Sequence, residues 1–133
     1  MATTTAAKII RRALLLIDVA DAAEALEAGE FADSLDVLNA MLAEWHEAGI
    51  GLQDYAITSL TDSLATDLAD VEAIAYQLAL RLAPEYGAVP SPAVVDMAHS
   101  LFARMRLRYF QPGVADFSEL PCTRSTFNIT VGY

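Results

Sequence analysis

Cysteine, basic residues and long apolar runs are all scarce in this sequence. Cys122 is the single cysteine, so no disulfide can form within the chain and no cysteine-based metal framework exists. The densest apolar stretch, residues 13–17, ends at Asp18, whereas a membrane-spanning helix needs roughly 18 to 20 residues and a signal peptide needs a longer hydrophobic region. We therefore expect a chain with no membrane span that stays in the reducing interior of the cell that makes it.

The shortage of basic residues gives the chain a strong negative charge. Eight Lys and Arg stand against 18 Asp and Glu, a net charge of -10. Such a surface repels phosphate backbones, which argues against tight or sequence-specific binding of nucleic acid. The imbalance lies in the first half, because residues 1–67 hold three basic and twelve acidic residues, whereas residues 68–133 hold five and six. We expect the acidic face to belong to the first half.

Residues that carry catalysis or bind metals are also few. His46 and His99 lie far apart, and neither is at a metal-ligand spacing from a cysteine or another histidine. Glu44 and Glu47 flank His46, which could indicate acid and base chemistry, but a solvated helix end explains them better. There is no phosphate-binding glycine loop. We therefore predict no catalytic, cofactor-binding or metal-binding residue, no cofactor, and no enzymatic activity.

Length and helical spacing predict one domain built from about four helices. The 133 residues suit a single core, and the 25 alanines favour helix. The predicted helices cover residues 3–19 with a threonine N-cap, residues 30–47 with Gly49 as the stop, a stretch from Asp67 or Asp70 to Pro84, and a stretch from Ser91 and Pro92 to about residue 109. Residues 20–29 are predicted as a connection with partial helix. Residues 50–66 are predicted as a long loop or short strand that serves as an interaction element.

The second and third predicted helices carry the clearest apolar faces. The predicted core anchors on them are Leu35, Leu38, Leu42, Trp45, Ile74, Leu78 and Leu82. For Trp45, partial exposure at a subunit contact is the alternative. The residues predicted to occupy the polar faces of the second helix are Asp33, Asp36, Asn39, Glu44 and Glu47.

Three arginines, Arg104, Arg106 and Arg108, lie in the last turns of the fourth predicted helix. Cations there interact favourably with the helix dipole. The alternative is a basic spot that docks on an acidic partner surface. Arg104 and Arg108 share a helix face, and Arg106 does not. We take Arg104 and Arg108 as candidate contacts to a partner.

The chain changes character after Tyr109. Residues 111–125 contain two prolines and show no periodicity, and the last residues then alternate at strand spacing. The apolar side of this segment consists of Phe127, Ile129, Val131 and Tyr133. A lone strand needs backbone partners, which a neighbouring chain can supply by strand addition. A frayed tail is the alternative. The predicted architecture is therefore an all-α bundle over residues 1–109 with an extended arm, 110–133, ending in a strand-like segment.

Two stretches resemble one known family. The motif carried by Leu35, Leu38, Asn39, Met41, Leu42, Glu44, Trp45 and Gly49 is similar to the pattern LxxLNxMLxEWxxxG of the head-to-tail adaptor proteins of tailed phages. These are also called packaged-DNA stabilisation or head-completion proteins of short-tailed phages. Residues 73–86 resemble that family's second pattern, AIxxxLAxRLAPxY, and residues 9–16 its first helix. The resemblance covers about residues 8–109. Members often carry a longer insert between the second and third helices, which is short here.

The resemblance implies a structural role in a virion. Such adaptors form a ring of twelve copies beneath the portal protein, extend the DNA channel, retain the genome and offer a docking surface for tail nozzle or tail fibre proteins. Their C-terminal arm reaches the portal. It implies a protein made in the host cytoplasm and located at the portal-tail junction, with DNA passing through its channel.

The partner contacts are predicted at Phe127, Ile129, Val131 and Tyr133, with Arg104 and Arg108 beside them. Two other functions remain open from the residues alone. One is a generic helical oligomerisation or regulatory module, and the other is a small hydrolase using Glu44, His46 or Glu47.

Overall fold

Four helices make up most of the structure. The computed structural model describes residues 3–19, 27–50 and 57–109. The helices are α1 (Ala6–Leu16), α2 (Ala28–Glu47), α3 (Leu68–Leu82) and α4 (Pro92–Tyr109), and two short strands, β1 (Thr3–Thr5) and β2 (Ser63–Ala65), pair with each other. The predicted all-α bundle of four helices is confirmed.

Helix α3 lies at the centre of the bundle, in contact with α1, α2 and α4. It is buried on more than one side, and alanines beside its larger apolar residues let neighbouring helices approach closely. The fully buried side chains of the core include Ile9, Ile10, Leu14, Leu38, Met41, Ile74, Leu78, Leu82 and Met105. Each large aliphatic side chain removed from water contributes about 1.5 to 3 kcal/mol, so this shared core stabilises the bundle.

The start of α1 differs from the prediction. The expected helix over residues 3–19 is wrong at its beginning, because Thr3–Thr5 forms a strand antiparallel to Ser63–Ala65 with Thr4 opposite Leu64. Thr5 occupies the N-cap position, but its side chain makes no capping hydrogen bond. Instead, the backbone N–H groups of Ala6 and Ala7 donate to carbonyls of the 60–62 turn, at 2.9 and 3.0 Å. A distant part of the chain therefore satisfies the helix end, which spacing within residues 3–19 could not reveal.

Helix α2 follows the prediction closely at its end. It begins at Ala28, two residues before the predicted start, with Glu27 and Glu30 forming a reciprocal capping box. Gly49 has φ +86°, and its N–H donates to the carbonyl of His46 while the N–H of Ile50 donates to Trp45. This left-handed glycine with its two hydrogen bonds is a Schellman motif, and it ends the helix where the sequence predicted.

The predicted cap of α4 is confirmed, whereas neither aspartate predicted to cap α3 makes a side-chain capping bond. Ser91 caps α4 as predicted, because its Oγ accepts a hydrogen bond from the N–H of Val94 at 3.4 Å. Asp67 occupies the N-cap position of α3 without a side-chain capping bond. Asp70, the other predicted cap, is 1% exposed within the first turn of α3. Its carboxylate serves a tertiary contact.

Candidate functional site

The buried carboxylate of Asp70 joins the beginning of α3 to the end of α4. Arg108 donates to one of its oxygens, and the hydroxyl of Tyr109 donates to the other at 2.7 Å. A charged group removed from water needs such partners. Because Arg108 and Tyr109 are the last two residues of α4, this contact holds the point from which the chain continues into residues 110–133.

The predicted arm contacts Phe127, Ile129, Val131 and Tyr133 lie outside the described residues, so their role stays a prediction. The structure does describe the root of that segment, at Tyr109. The Asp70 contact is the functional feature that sequence reasoning missed. The signal available was an aspartate and a tyrosine nearly forty residues apart, and no local spacing connects them.

The three arginines of α4 have three different environments. Arg108 pairs with Asp70 inside its own chain. Arg106 lies over the ring of Phe102, 5.9 Å from its centroid. Arg104 is exposed and makes no ion pair within the described ranges. Of the two predicted partner contacts on α4, Arg104 makes no ion pair with any described residue, whereas Arg108 pairs with Asp70.

Asn39 belongs to the resemblance motif and tethers the loop that follows α2. Its side-chain amide donates to the carbonyl of Ile57 and accepts from the N–H of Ile57, both at 2.8 Å. The amide thus satisfies both backbone groups of Ile57, as a residue on a neighbouring strand would. Ile50 and Ile57 are both buried, so both ends of the 50–57 segment are held in the core. The prediction placed Asn39 on a polar face of α2, and it is half-buried there.

A tight turn precedes β2 and is organised by Asp62. The carboxylate of Asp62 accepts hydrogen bonds from the N–H and Oγ1 of Thr58 and from the N–H of Ser59, at 2.9 to 3.1 Å. The Ser59 N–H and the Thr58 hydroxyl hold the pKa of this carboxyl below its usual value, because they stabilise its charged form. The carbonyl of Asp62 is also the acceptor that caps Ala6. The predicted loop or short strand over residues 50–66 therefore includes both a turn and strand β2.

The acidic residues of α2 face solvent. Asp33, Asp36 and Glu47 are exposed and make no ion pair among the residues that the structure describes. Glu44 pairs with Arg81 of α3 at 2.8 Å. His46 is exposed, as expected for a solvated helix end. Five of the twelve acidic residues of the first half therefore lie on α2.

Six of the seven predicted core anchors are buried, and the seventh is partly buried. The buried ones are Leu38, Leu42, Trp45, Ile74, Leu78 and Leu82. Leu35 is partly buried and packs against the same core. The ring of Trp45 lies 5.1 Å from that of Phe102, centroid to centroid, so Trp45 joins α2 to α4. This position fits a core role for Trp45.

Neither metal-binding groups nor membrane-crossing helices occur in the described ranges. Among those residues, no three His, Cys, Asp or Glu side chains come together as metal ligands would. None of the helices there combines the length and apolarity needed to cross a bilayer.

These contacts define a small helical domain whose polar side chains fix helix ends, a loop and the root of the C-terminal segment. The family model described as P22 tail accessory factor matches residues 1–124. The chain belongs to this family and is a phage tail-associated protein with a structural role in the virion. It therefore interacts with other virion proteins. No curated protein gave a match in the comparison.

The family assignment confirms the coarser part of the predicted resemblance. The adaptor motif and the matched family both indicate a phage protein of the tail region. The specific adaptor role, the ring and the portal contact remain proposals.

Proposed function

We propose that the protein is a head-to-tail adaptor that assembles as a ring of twelve copies beneath the portal. There it extends the DNA channel, retains packaged DNA and offers a docking surface for tail nozzle or tail fibre proteins. The observation that carries the proposal is the family match over residues 1–124, together with the adaptor motif that spans α2. No enzymatic step is part of this role.

The contact between Asp70 and Tyr109 supports a portal-binding arm. An arm is useful to an adaptor if it starts from a rigid point, because less conformational entropy is then lost on binding. The buried carboxylate provides that point at the end of α4. From there, residues 126–133 dock on the portal by strand addition, with Phe127, Ile129, Val131 and Tyr133 inserted on one side.

A ring multiplies weak contacts. Each arm needs only modest affinity, because neighbouring copies in a ring bind a symmetric portal at high effective concentration. The free chain would then hold the portal weakly, and the assembled ring would hold it firmly.

The charge of the chain suits the wall of a DNA conduit. A net charge of -10 and the exposed carboxylates of α2 repel the phosphate backbone. DNA can then pass without adhering.

The decisive experiment is the mass of the protein alone and after mixing with the cognate portal, measured by light scattering. We expect a complex containing a ring of copies, and we expect deletion of residues 126–133 to abolish it while circular dichroism shows an unchanged helical fold. A matched pair of variants sharpens the test. Replacing Phe127, Ile129, Val131 and Tyr133 by serine should abolish binding, whereas alanine at Asn128 and Thr130, on the other side of the strand, should not.

Undiminished portal binding by the truncated chain would refute the proposed arm contact. A discrete dimer with no affinity for the portal would instead favour a generic helical oligomerisation or regulatory module. Hydrolytic activity lost on replacing Glu44, His46 or Glu47 would favour the enzyme reading.

A further inference from the structure

Helix α4 has an outward face that nothing in the described structure covers. It packs on α3 through Ala98 and Met105, which are fully buried. On its opposite side, five residues recur at spacings of four, three, four and three and are all exposed. This α4 stripe consists of Ala93, Met97, Ser100, Arg104 and Leu107. Met97 is 47% and Leu107 75% exposed, so the stripe presents two large apolar side chains and one cation.

Helix α2 has an outward face of the same length and opposite character. Five exposed residues recur there at spacings of three, four, three and four. This α2 stripe consists of Asp33, Asp36, Ala40, Ala43 and Glu47. Both stripes extend over about 21 Å, at 1.5 Å per residue. The α2 stripe offers small side chains and carboxylates, the α4 stripe offers large apolar side chains and an arginine, and none of these charged groups pairs with another described residue.

We propose that the α4 stripe of one copy docks antiparallel on the α2 stripe of a second copy, and that this contact closes the ring. The inference rests on the proposed function and adds to it the two faces that meet. Read in opposite directions, the two stripes have identical spacing. Met97 then faces Ala43, Ser100 faces Ala40, and Arg104 faces Asp36.

The charges select this antiparallel arrangement over a parallel one. In the antiparallel pair, Leu107 faces Asp33, but Arg104 lies one turn away and beside both Asp33 and Asp36, and Glu47 lies at the start of α4, where the helix dipole favours an acid. The first turn of α4 carries no acidic residue of its own. In a parallel pair, Met97 would face Asp36, and Leu107 would face Glu47. Asp36 would then be desolvated against an apolar side chain with no cation within one turn.

Charge also disfavours a closed pair in which the two α2 stripes meet. An α2 stripe facing another α2 stripe would oppose three carboxylates to three carboxylates, so a two-fold contact through this face is disfavoured. Contact between two different faces is heterologous, and the pair then still has one α2 stripe and one α4 stripe available. Repetition of such a contact produces a ring where the rotation between copies closes.

Cysteine crosslinking tests the alignment in the full chain. Ala43→Cys and Met97→Cys are introduced together with Cys122→Ser, and the chain is oxidised both free at high concentration and mixed with the cognate portal. We expect a ladder of covalent multimers. The cysteine at position 97 of each copy forms a disulfide with position 43 of one neighbour, and its own position 43 is crosslinked to position 97 of the other neighbour. The control pairs Met97→Cys with Asp36→Cys, which face each other only in the parallel arrangement, and should give no ladder.

Charge reversal tests the same contact without crosslinks. Arg104→Glu and Asp36→Arg should each weaken self-association by roughly tenfold or more in sedimentation experiments, and the two together should restore it. Reversals at exposed charges away from both stripes, Lys8→Glu and Glu85→Arg, serve as controls and should change little. Circular dichroism checks that each variant keeps its helices.

The outcomes separate this inference from the proposed function. A ring on the portal that forms without the 43–97 crosslink, or that ignores Arg104→Glu, overturns the inference and leaves the adaptor role standing. The 43–97 ladder in a protein that never binds the portal supports the inference and overturns the adaptor role. The absence of any contact between copies, free or with the portal, overturns the inference.

Discussion

Tyr109, the last residue of α4, donates a 2.7 Å hydrogen bond to the carboxylate of Asp70 in the first turn of α3. The two residues are nearly forty positions apart, and Arg108 completes the contact from the same end of α4. A helix end normally frays. Here a buried charge ties it to the central helix, so the first turn of α3 and the last turn of α4 depend on each other.

Removing the Tyr109 hydroxyl should destabilise the fold. Tyr109→Phe leaves one oxygen of the buried Asp70 carboxylate without its donor, which we expect to lower the free energy of unfolding by about 1 to 3 kcal/mol in urea denaturation. Tyr76→Phe is the matched control, because the Tyr76 hydroxyl has no hydrogen-bond partner among the described residues. Its effect should stay within about 0.5 kcal/mol. Equal effects of the two variants would show that the hydroxyl of Tyr109 does not matter to the fold.

Replacing the amide nitrogen of Asn39 by oxygen should destabilise the fold. Asn39→Asp keeps an acceptor for the N–H of Ile57 but places a carboxylate against the Ile57 carbonyl. We expect a loss of about 1 to 3 kcal/mol in unfolding free energy and faster hydrogen exchange at the Ile57 amide. Asp36→Asn, the converse change on the exposed side of the same helix, should alter neither quantity. Unchanged exchange at Ile57 in Asn39→Asp would contradict the tether.

Gly29 in α2 and Gly49 just after its end should respond in opposite directions to alanine. Gly49 has φ +86°, a conformation that costs an L residue about 1 to 2 kcal/mol, so Gly49→Ala should lower the melting temperature. Gly29 lies within the helix with open space around it, so Gly29→Ala should raise stability by up to about 1 kcal/mol. Neither added Cβ meets another atom within 4 Å. A difference between the two therefore reports backbone conformation alone, and equal melting temperatures would contradict this account.

Asp62 should make stability depend on pH on the acid side. Its pKa is lower in the folded than in the unfolded chain, so its contribution is present above the unfolded value, about 3.9, and is lost as the pH falls through the folded value. We expect the melting temperature of the native protein to exceed that of Asp62→Asn at pH 7, and the difference to shrink as the pH approaches 3. Thr58→Val, which removes one donor to the carboxylate, should make the difference at pH 7 smaller. A difference that stays constant from pH 7 to 3 would exclude this role.

The four helices were predictable because their signals are local. The apolar residues of α2 recur along one face, Gly49 supplies the left-handed stop, and Ser91 and Pro92 mark the start of α4. Each of these features depends on residues within a few positions of one another. The predicted core face of α2 follows for the same reason, with Trp45 buried at 3% exposure.

The failures share a different cause. Thr3–Thr5 lies within a pattern that continues into α1, but β2, some sixty residues away, pairs with it as a strand. Asp70 is of a residue type that often caps helices, and Asn39 was predicted on a polar face of α2. Both instead make tertiary hydrogen bonds. In each case the deciding partner is distant in the chain.

By itself, the sequence determined the four helices of the described residues, the end of α2 at Gly49, the start of α4 at Ser91, the core faces of α2 and α3, and the excess of negative charge in the first half. Tertiary structure alone decided which polar groups would be buried together. Helical periodicity indicates which face of its helix a side chain occupies. It carries no information about which residue of another helix or strand lies opposite that face. Asp70 meets Arg108 and Tyr109 only because α3 and α4 pack against each other.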